Sequence, residues 1–389
     1  MKKILRNRIL LLFVFSFILF SCTKSDDGNS GGGSFALHNY GVNPMTPDQW
    51  SNVPVFSKDA LTGALNPFGL STSGTLPSSY LLYSPAVRDQ GQIGSCTGFC
   101  GAESDEILYY YTLYTSASTG LTTSTGLSTA VSTQFSNVSL FGTSGELSPL
   151  FLYYVERVVI QKQSITADKG AYMVNIPQTL QGLSNNSGTG IALTATISGT
   201  TYTFSGDCYE NLYSYPSSGS SSSTQYRTAP SATAISNAPG FDIATQSGTT
   251  GSSGTTSHGY YVINSSDPVT DVKVAIANNK PVMMGFNVYD NRTYQYFEGL
   301  GVPGYAPTKY TYDPLTSSGS LVSGLSLLGG HAVPIIGYIN DASQPGGGVF
   351  ICENSWNTSW GYKGYFYMPY QVLKSTKIVP AGNLYVSII

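Results

Sequence analysis

Charge is what this chain has least of. Charged residues make up 10% of its 389 residues, well under the roughly 25% of ordinary globular domains. The 18 basic and 21 acidic residues leave a net charge of −3, so no basic footprint for nucleic acid is present. Histidine is scarce, with three residues, and the five cysteines include no CxxC pair and no HExxH helix. That removes the usual zinc patterns, and the reading calls for no metal and no cofactor. No apolar run reaches the roughly 20 residues of a membrane-spanning helix. Two formal motif hits also fall away. Gly299-Leu-Gly301-Val-Pro-Gly304 fits GxGxxG but contains Pro303 and precedes no helical pattern. Gly28 to Gly32 fits GxSxG but lies in a polar Gly/Ser stretch with no strand–turn–helix context.

Ser, Thr, Gly and Tyr fill the space that charge vacates, while 41% hydrophobic residues suffice for a core. At the N-terminus Lys2, Lys3, Arg6 and Arg8 precede the apolar run Ile9 to Phe20, the n-region and h-region of a secretory signal. Leu19-Phe20-Ser21-Cys22 resembles the lipobox of bacterial lipoproteins. It implies a signal peptide over 1–21 and a lipidated Cys22, followed by a tether and short pro-region over 22–75. An outer membrane lipoprotein facing the periplasm or exposed at the cell surface is expected, with Asp26 and Asp27 resembling a surface-export signal. Cys96, Cys100, Cys208 and Cys352 then remain; an exported chain can pair four cysteines in three ways, and spacing does not choose.

Downstream, residues 76–95 read as extended. A helix is expected from Cys96 to about Tyr114, with Ser95 as N-cap and an apolar stripe of Phe99, Ala102, Ile107, Leu108 and Tyr111. A second helix is expected over 147–159, with Ser148 as N-cap and Pro149 at its first position, and a third over 169–180, interrupted by Pro177. Polar loop insertions are expected near 115–146, 184–206 and 217–257. After Tyr260 come a short helix at 272–278 and strands at 281–289, 331–339, 348–356 and 364–370. Helices first and strands later give an α+β fold of two packed halves.

Three stretches carry chemistry. In RDQGQIGSCTGFC, Gln90 precedes a cysteine, Cys96, that opens a helix; the amide can donate to an oxyanion, and the helix dipole favours a thiolate. In GGHAVPIIGY, His331 begins a buried strand and can serve as base. In ENSWNTSWG, Asn354 can accept the imidazole N–H, under cover of Trp356 and Trp360. Together these stretches resemble the papain-like (C1-type) cysteine peptidase family, across about residues 76–389 and in the order Gln, Cys, His, Asn. The resemblance implies a two-lobed fold, with the cysteine helix in a helical N-terminal lobe and His and Asn in a β-rich C-terminal one. It makes Gln90 the oxyanion-hole donor, Cys96 the nucleophile, His331 the base and Asn354 its orienter. Gly330 and Ala332 flank the histidine, Ala332 bordering the substrate pocket.

The implied activity is peptide-bond hydrolysis by a monomeric endopeptidase on peptide or protein substrates. The thiolate–imidazolium pairing implies a Cys96 pKa near ~3–4. His331 and Asn354 follow Cys96 at more than the family's ~130–150 residues, an excess the polar insertions absorb. Thr97 stands where the family has an aromatic residue. Ile93 stands where it has a disulfide cysteine, and Asn357 where glycine is usual. Thr97, the long polar loops and the anchor motivate a second expectation, a catalytically silent surface binding or adhesion protein on the same fold.

Overall fold

The computed structural model describes residues 39–56, 76–113, 146–184, 190–243, 259–290, 297 and 310–387. The expected signal and lipidation segment with Cys22, the expected insertion over 115–145, His38 and His258 lie outside the described residues.

Leu37–Ile389 forms one compact unit. Its helices are α1 Pro47–Trp50, α2 Cys96–Leu113, α3 Pro149–Tyr154, α4 Asn175–Gln181, α5 Ala232–Asn237, α6 Pro268–Ala277 and α7 Tyr370–Leu373. Its strands are β1 Ser79–Leu81, β2 Leu193–Ile197, β3 Thr200–Phe204, β4 Tyr260–Val262, β5 Val282–Asp290, β6 Ser326–Asn340, β7 Gly348–Glu353, β8 Tyr365–Pro369 and β9 Leu384–Ser387. Seven strands form an antiparallel sheet in the order β4-β9-β5-β6-β7-β8, with β1 also paired to β6. Helices therefore dominate the first half and strands the second, as an α+β chain requires.

The expected apolar stripe of α2 is buried throughout, but so are Glu103, Ser104, Asp105 and Glu106. The helix runs through the interior rather than along its surface. Arg88 holds it, reaching Glu106 at 3.3 Å and donating to the Leu147 carbonyl at 2.9 Å. Ser148 accepts from the Phe151 N–H at 3.1 Å, and Pro149 fills the first position of α3, which continues as a π-helical turn over Val155–Ile160. Ser95 contributes its carbonyl to the first turn of α2, while its hydroxyl bonds that of Tyr215 at 2.5 Å.

Several expectations change: α5 falls within the loop expected over 217–257, the strand expected at 331–339 begins at Ser326, and the one expected at 348–356 ends at Glu353. The third helix begins only at Asn175 and accommodates Pro177 in its first turn, where no intrahelical N–H bond is lost. Residues 193–204, expected within a polar loop, form the hairpin β2–β3. Its two-residue turn, Ser198-Gly199, has φ of 49° and 85°, the left-handed geometry that joins twisted strands tightly. Alternation of Thr with Leu193, Ala195 and Ile197 was the available signal, masked by its Ser/Gly/Thr composition. The expected tether does not extend over 39–56. There Trp50 lies against Gly382, and Phe56 and Pro54 bond Val262 at the edge of the sheet.

Three apolar cores follow: one under the sheet, one among α3, the β2–β3 hairpin and α5, and one between them. The middle core contains Cys96, Met173, Met283, Ala332 and Tyr385. The site lies at this junction.

Candidate active site

Gln90 and Cys96 are separated by a turn built for one conformation. Asp89 Oδ1 accepts the Gly91 N–H at 2.8 Å, Gly91 has φ of 56°, and a Cβ there would stand 2.6 Å from the Gly219 Cα. Gly219, from the Ser-rich run expected to be a free surface loop, thus backs the turn and accepts the Gln92 N–H at 2.8 Å. On the other side the Gln90 N–H bonds the Ser355 carbonyl at 2.8 Å. The Ser355 hydroxyl donates to Gln90 Oε1 at 2.6 Å, fixing which end of the amide is the donor. The Gln90 NH2 faces the Ile93 carbonyl at 2.9 Å and the Asn39 carbonyl at 3.3 Å.

His331 stands on β6 opposite Phe286 of β5. Its Nε2 bonds Asn354 Oδ1 at 2.7 Å, and the same oxygen accepts the Ser355 N–H at 2.9 Å. An amide oxygen accepts only, so the imidazole carries its proton on Nε2 and turns Nδ1 the other way. Trp356 lies 4.9 Å from the imidazole between ring centroids, Phe297 5.7 Å and Phe286 5.8 Å. Trp360 packs on Trp356 and Phe297, one ring further out. Both tryptophans were expected to cover the His–Asn bond. Phe286 and Phe297 were not singled out, and only strand pairing reveals the first.

Cys96 is fully buried, and its sulfur lies against the backbone of Ala332 and Gly41. Gly330 accepts the Val42 N–H at 2.9 Å. The site residues expected from sequence are therefore brought together: Gln90, Cys96, His331, Asn354, Gly330, Ala332, Trp356 and Trp360. Ser355, beside Asn354 in sequence, is the addition.

A segment not expected there also belongs to the site. Residues 39–43 cross it as an extended strap. The Ala171 N–H bonds the Gly41 carbonyl at 2.7 Å, and the Asn43 N–H bonds the Ala171 carbonyl at 2.8 Å. The side-chain amide of Asn39 donates to the Gln92 carbonyl. Tyr40 turns its ring edge to His331 and Trp356, at 6.1 and 5.9 Å. Gly41 permits this contact: a Cβ there would fall 1.9 Å from the Gly94 carbonyl oxygen and 3.1 Å from the Cys96 sulfur.

The strap changes the electrostatics. Burial pushes the Cys96 thiol up to about 12, partly offset by backbone contacts with Ala332 and Gly41 and reinforced by Glu156. The low value implied by the family's ion pair therefore does not describe this closed form. Thr97 does not leave a gap beside the sulfur. Its hydroxyl donates to Glu156 at 2.5 Å, both residues fully buried, and burial raises the Glu156 carboxyl to about 8. All four described cysteines are free, so the disulfide option is not taken up. Cys100 and Cys208 lie in the middle and helical cores and Cys352 under the sheet.

Residues 205–381, which include His331 and Asn354, match the family model of papain family cysteine proteases. Cathepsin B-like cysteine proteinase 5 of Caenorhabditis elegans is 36% identical over 98 residues, 25% of this chain and 22% of that protein. The uncharacterized peptidase C1-like protein L477 of Acanthamoeba polyphaga mimivirus is 30% identical over 105 residues, 27% of each. The chain thus spans about a quarter of the length of these relatives. Xylellain, a cysteine protease from Xylella fastidiosa, has a similar fold, with a TM-score of 0.57 at 20% identity over 92% of this chain and 99% of that one. Over residues 205–381 this chain is thus similar to the papain family of cysteine proteases, and its fold is similar to that of a cysteine protease.

Proposed function

We propose that this chain is a cysteine peptidase that hydrolyses internal peptide bonds of peptide or protein substrates, and that the strap holds it closed. In the open site Cys96 passes its proton to His331 Nδ1 and, as thiolate, adds to the scissile carbonyl. The Gln90 amide and the Cys96 backbone N–H stabilise the oxyanion. His331 gives its proton to the leaving amine as the C–N bond breaks, leaving an acyl-enzyme. It then takes a proton from water, whose oxygen attacks the thioester and releases Cys96. Asn354 keeps the ring in the tautomer this sequence needs.

One observation carries the reading. The Gln90 amide, pinned by Ser355, already donates to a peptide carbonyl, that of Asn39, in a segment that passes over the Cys96 sulfur. A substrate carbonyl would use the same donor. Its own strap thus stands in the substrate's place, and activity requires the strap to leave.

The test is cleavage of a peptide library by the full chain and by Gly41→Val, with Cys96→Ala as control. Cleavage that disappears in Cys96→Ala supports the reading. A folded Gly41→Val chain whose Cys96 reacts with an epoxide inhibitor, yet which cleaves nothing, would refute it and leave the silent binding protein. The proposal extends to location: a monomer anchored to the outer membrane through a lipid on Cys22, facing the periplasm or the cell surface. Radiolabelled palmitate should enter the chain and fail to enter Cys22→Ala. Equal labelling of both refutes the anchor.

A further inference from the structure

Cys96 is useful only if its turn is held at a fixed distance from the wall that receives the peptide backbone. Here that wall is Gly170-Ala171, because Ala171 makes two of the backbone bonds to the strap. The family's cysteine before the nucleophile is replaced by Ile93, which is buried, and the described cysteines are free. The two sides therefore lack a covalent link at this place, and a different one is present. The Gly94 N–H, two residues before Cys96, points between the carboxylate oxygens of Asp168, at 3.1 Å from each. The Tyr153 hydroxyl donates to Asp168 Oδ1 at 2.6 Å and accepts the Gly170 N–H at 3.1 Å.

We propose that Asp168 is a positioning residue: its carboxylate clasps the nucleophile turn at Gly94 and, through Tyr153, the peptide-binding wall at Gly170. The geometry suits the task on three counts. Hydrogen bonds to a charged acceptor are about twice as strong as neutral ones. Tyr153 is fully buried on α3, with its ring near the Arg157 guanidinium and its Cβ against the first turn of α2; a Cβ added at Gly98 would meet it at 3.0 Å. The clasp is therefore mounted on the element that also fixes the nucleophile helix. Gly94, finally, is held between Asp168 and the strap: a Cβ there would meet Asp168 Oδ1 at 3.2 Å and the Gly41 Cα at 3.5 Å. When the strap leaves, Asp168 is the partner that still holds Gly94.

The two arms have different kinetic meanings. The Gly94 arm places the sulfur and the oxyanion turn, which act in the chemical step. The Gly170 arm places the wall that binds the substrate backbone. The kinetic readout rests on the peptidase reading; alkylation of Cys96 does not. Asp168→Ala, Asp168→Asn and Tyr153→Phe are compared with their parent, all carrying Gly41→Val, by kcat, KM, melting temperature and the rate of Cys96 alkylation by iodoacetamide against pH. Displacement of a reacting group by about 1 Å can cost on the order of a hundredfold. Asp168→Ala should therefore lower kcat by about tenfold or more and shift the pH profile of alkylation. Asp168→Asn, whose amide oxygen can accept from Gly94, should recover most of the loss. Tyr153→Phe should raise KM more than it lowers kcat. A folded Asp168→Ala chain with a lower melting temperature, but kcat, KM and alkylation profile within about twofold of the parent, overturns the proposal. If the parent shows no Cys96-dependent hydrolysis, the peptidase reading fails separately. The clasp is then judged on alkylation alone, and an unchanged profile in Asp168→Ala refutes it.

Discussion

Gly41→Val should open the site, and the structure sets the size of the effect. Six hydrogen bonds to backbone groups hold the strap: Val42 to Gly330, Ala171 to Gly41, Asn43 to Ala171, Gln90 to Asn39, and the side-chain amides of Asn39 and Asn43 to the Gln92 and Lys169 carbonyls. At about 0.5–1.5 kcal/mol net each, with about 1.5–3 kcal/mol for the buried Val42 side chain, closure gains roughly 5–12 kcal/mol. Ordering five residues costs about 5–10 kcal/mol in backbone entropy. The two nearly offset, so a modest insult should shift the strap. A Cβ at residue 41 would stand 1.9 Å from the Gly94 oxygen and 2.5 Å from the Gly94 carbon, both backbone atoms that cannot turn aside. Overpacking of this kind costs about 1–3 kcal/mol, which corresponds to roughly a 5- to 150-fold change in the open population. The assay is the second-order rate of Cys96 alkylation by iodoacetamide at neutral pH, read by mass spectrometry. It should rise by that factor with no change in far-ultraviolet circular dichroism. A folded Gly41→Val chain alkylated within about twofold of the unmodified rate would refute the argument, because the strap would then not control access to the sulfur.

Ser355→Ala, in the Gly41→Val chain, should lower kcat/KM by about ten- to a hundredfold through a loosened Gln90 amide. Its alkylation rate should stay near the parent's, because alkylation makes no oxyanion. Thr97→Val should leave the buried Glu156 carboxyl without its donor and cost about 1–3 kcal/mol, read as a lower urea midpoint. The buried acids of the helix interior should make the fold more stable in acid. Burial raises Glu103 to about 8 and Glu106 to about 7, from an ordinary 4.5. Between those values the folded state binds more protons than the unfolded one, so stability falls as pH rises through the window and is lowest above about 8. The melting temperature should drop by several degrees (roughly 5 °C or more) between pH 5 and pH 8, and a rise over that range would contradict the burial of these groups.

The site was legible because its chemistry is concentrated in short, ordered motifs. Cys96 opens α2 and Asn354 directly follows the end of β7, so at both places local pattern and chemical role point the same way. Ser148 and Pro149 at the head of α3 were legible for the same reason. What escaped depends on contacts between distant segments. Composition marks 39–56 as linker, and nothing local distinguishes a glycine of a flexible tether from Gly41, whose missing Cβ admits it to within contact of Gly94. Asp168 reads as one of a few scattered acids until the fold brings it to Gly94, and Phe286 reads as core until β5 pairs with β6. The β2–β3 hairpin was hidden by composition, since Thr-rich alternation resembles a polar loop. The pKa of Cys96 failed for a different reason. A helix N-terminus and a histidine favour the thiolate in an open site, but they do not offset burial when the site is covered.

That last failure bears on how the strap acts. A plug that only blocked entry would leave the nucleophile as it is in the open enzyme. This one also supplies a carbonyl to the Gln90 donor, over a Cys96 thiol that burial pushes up to about 12. While the strap is down the thiol is pushed up and the oxyanion donor is occupied. The proposed opening would reverse both. The imidazole needs no rebuilding in that step. Asn354 and the aromatic rings of Phe286, Phe297 and Trp356 hold it from outside the strap, while the contact with Tyr40 would go with the strap. The base is therefore preorganised in the closed form, and what opening adds is the charge on sulfur and a free donor at Gln90.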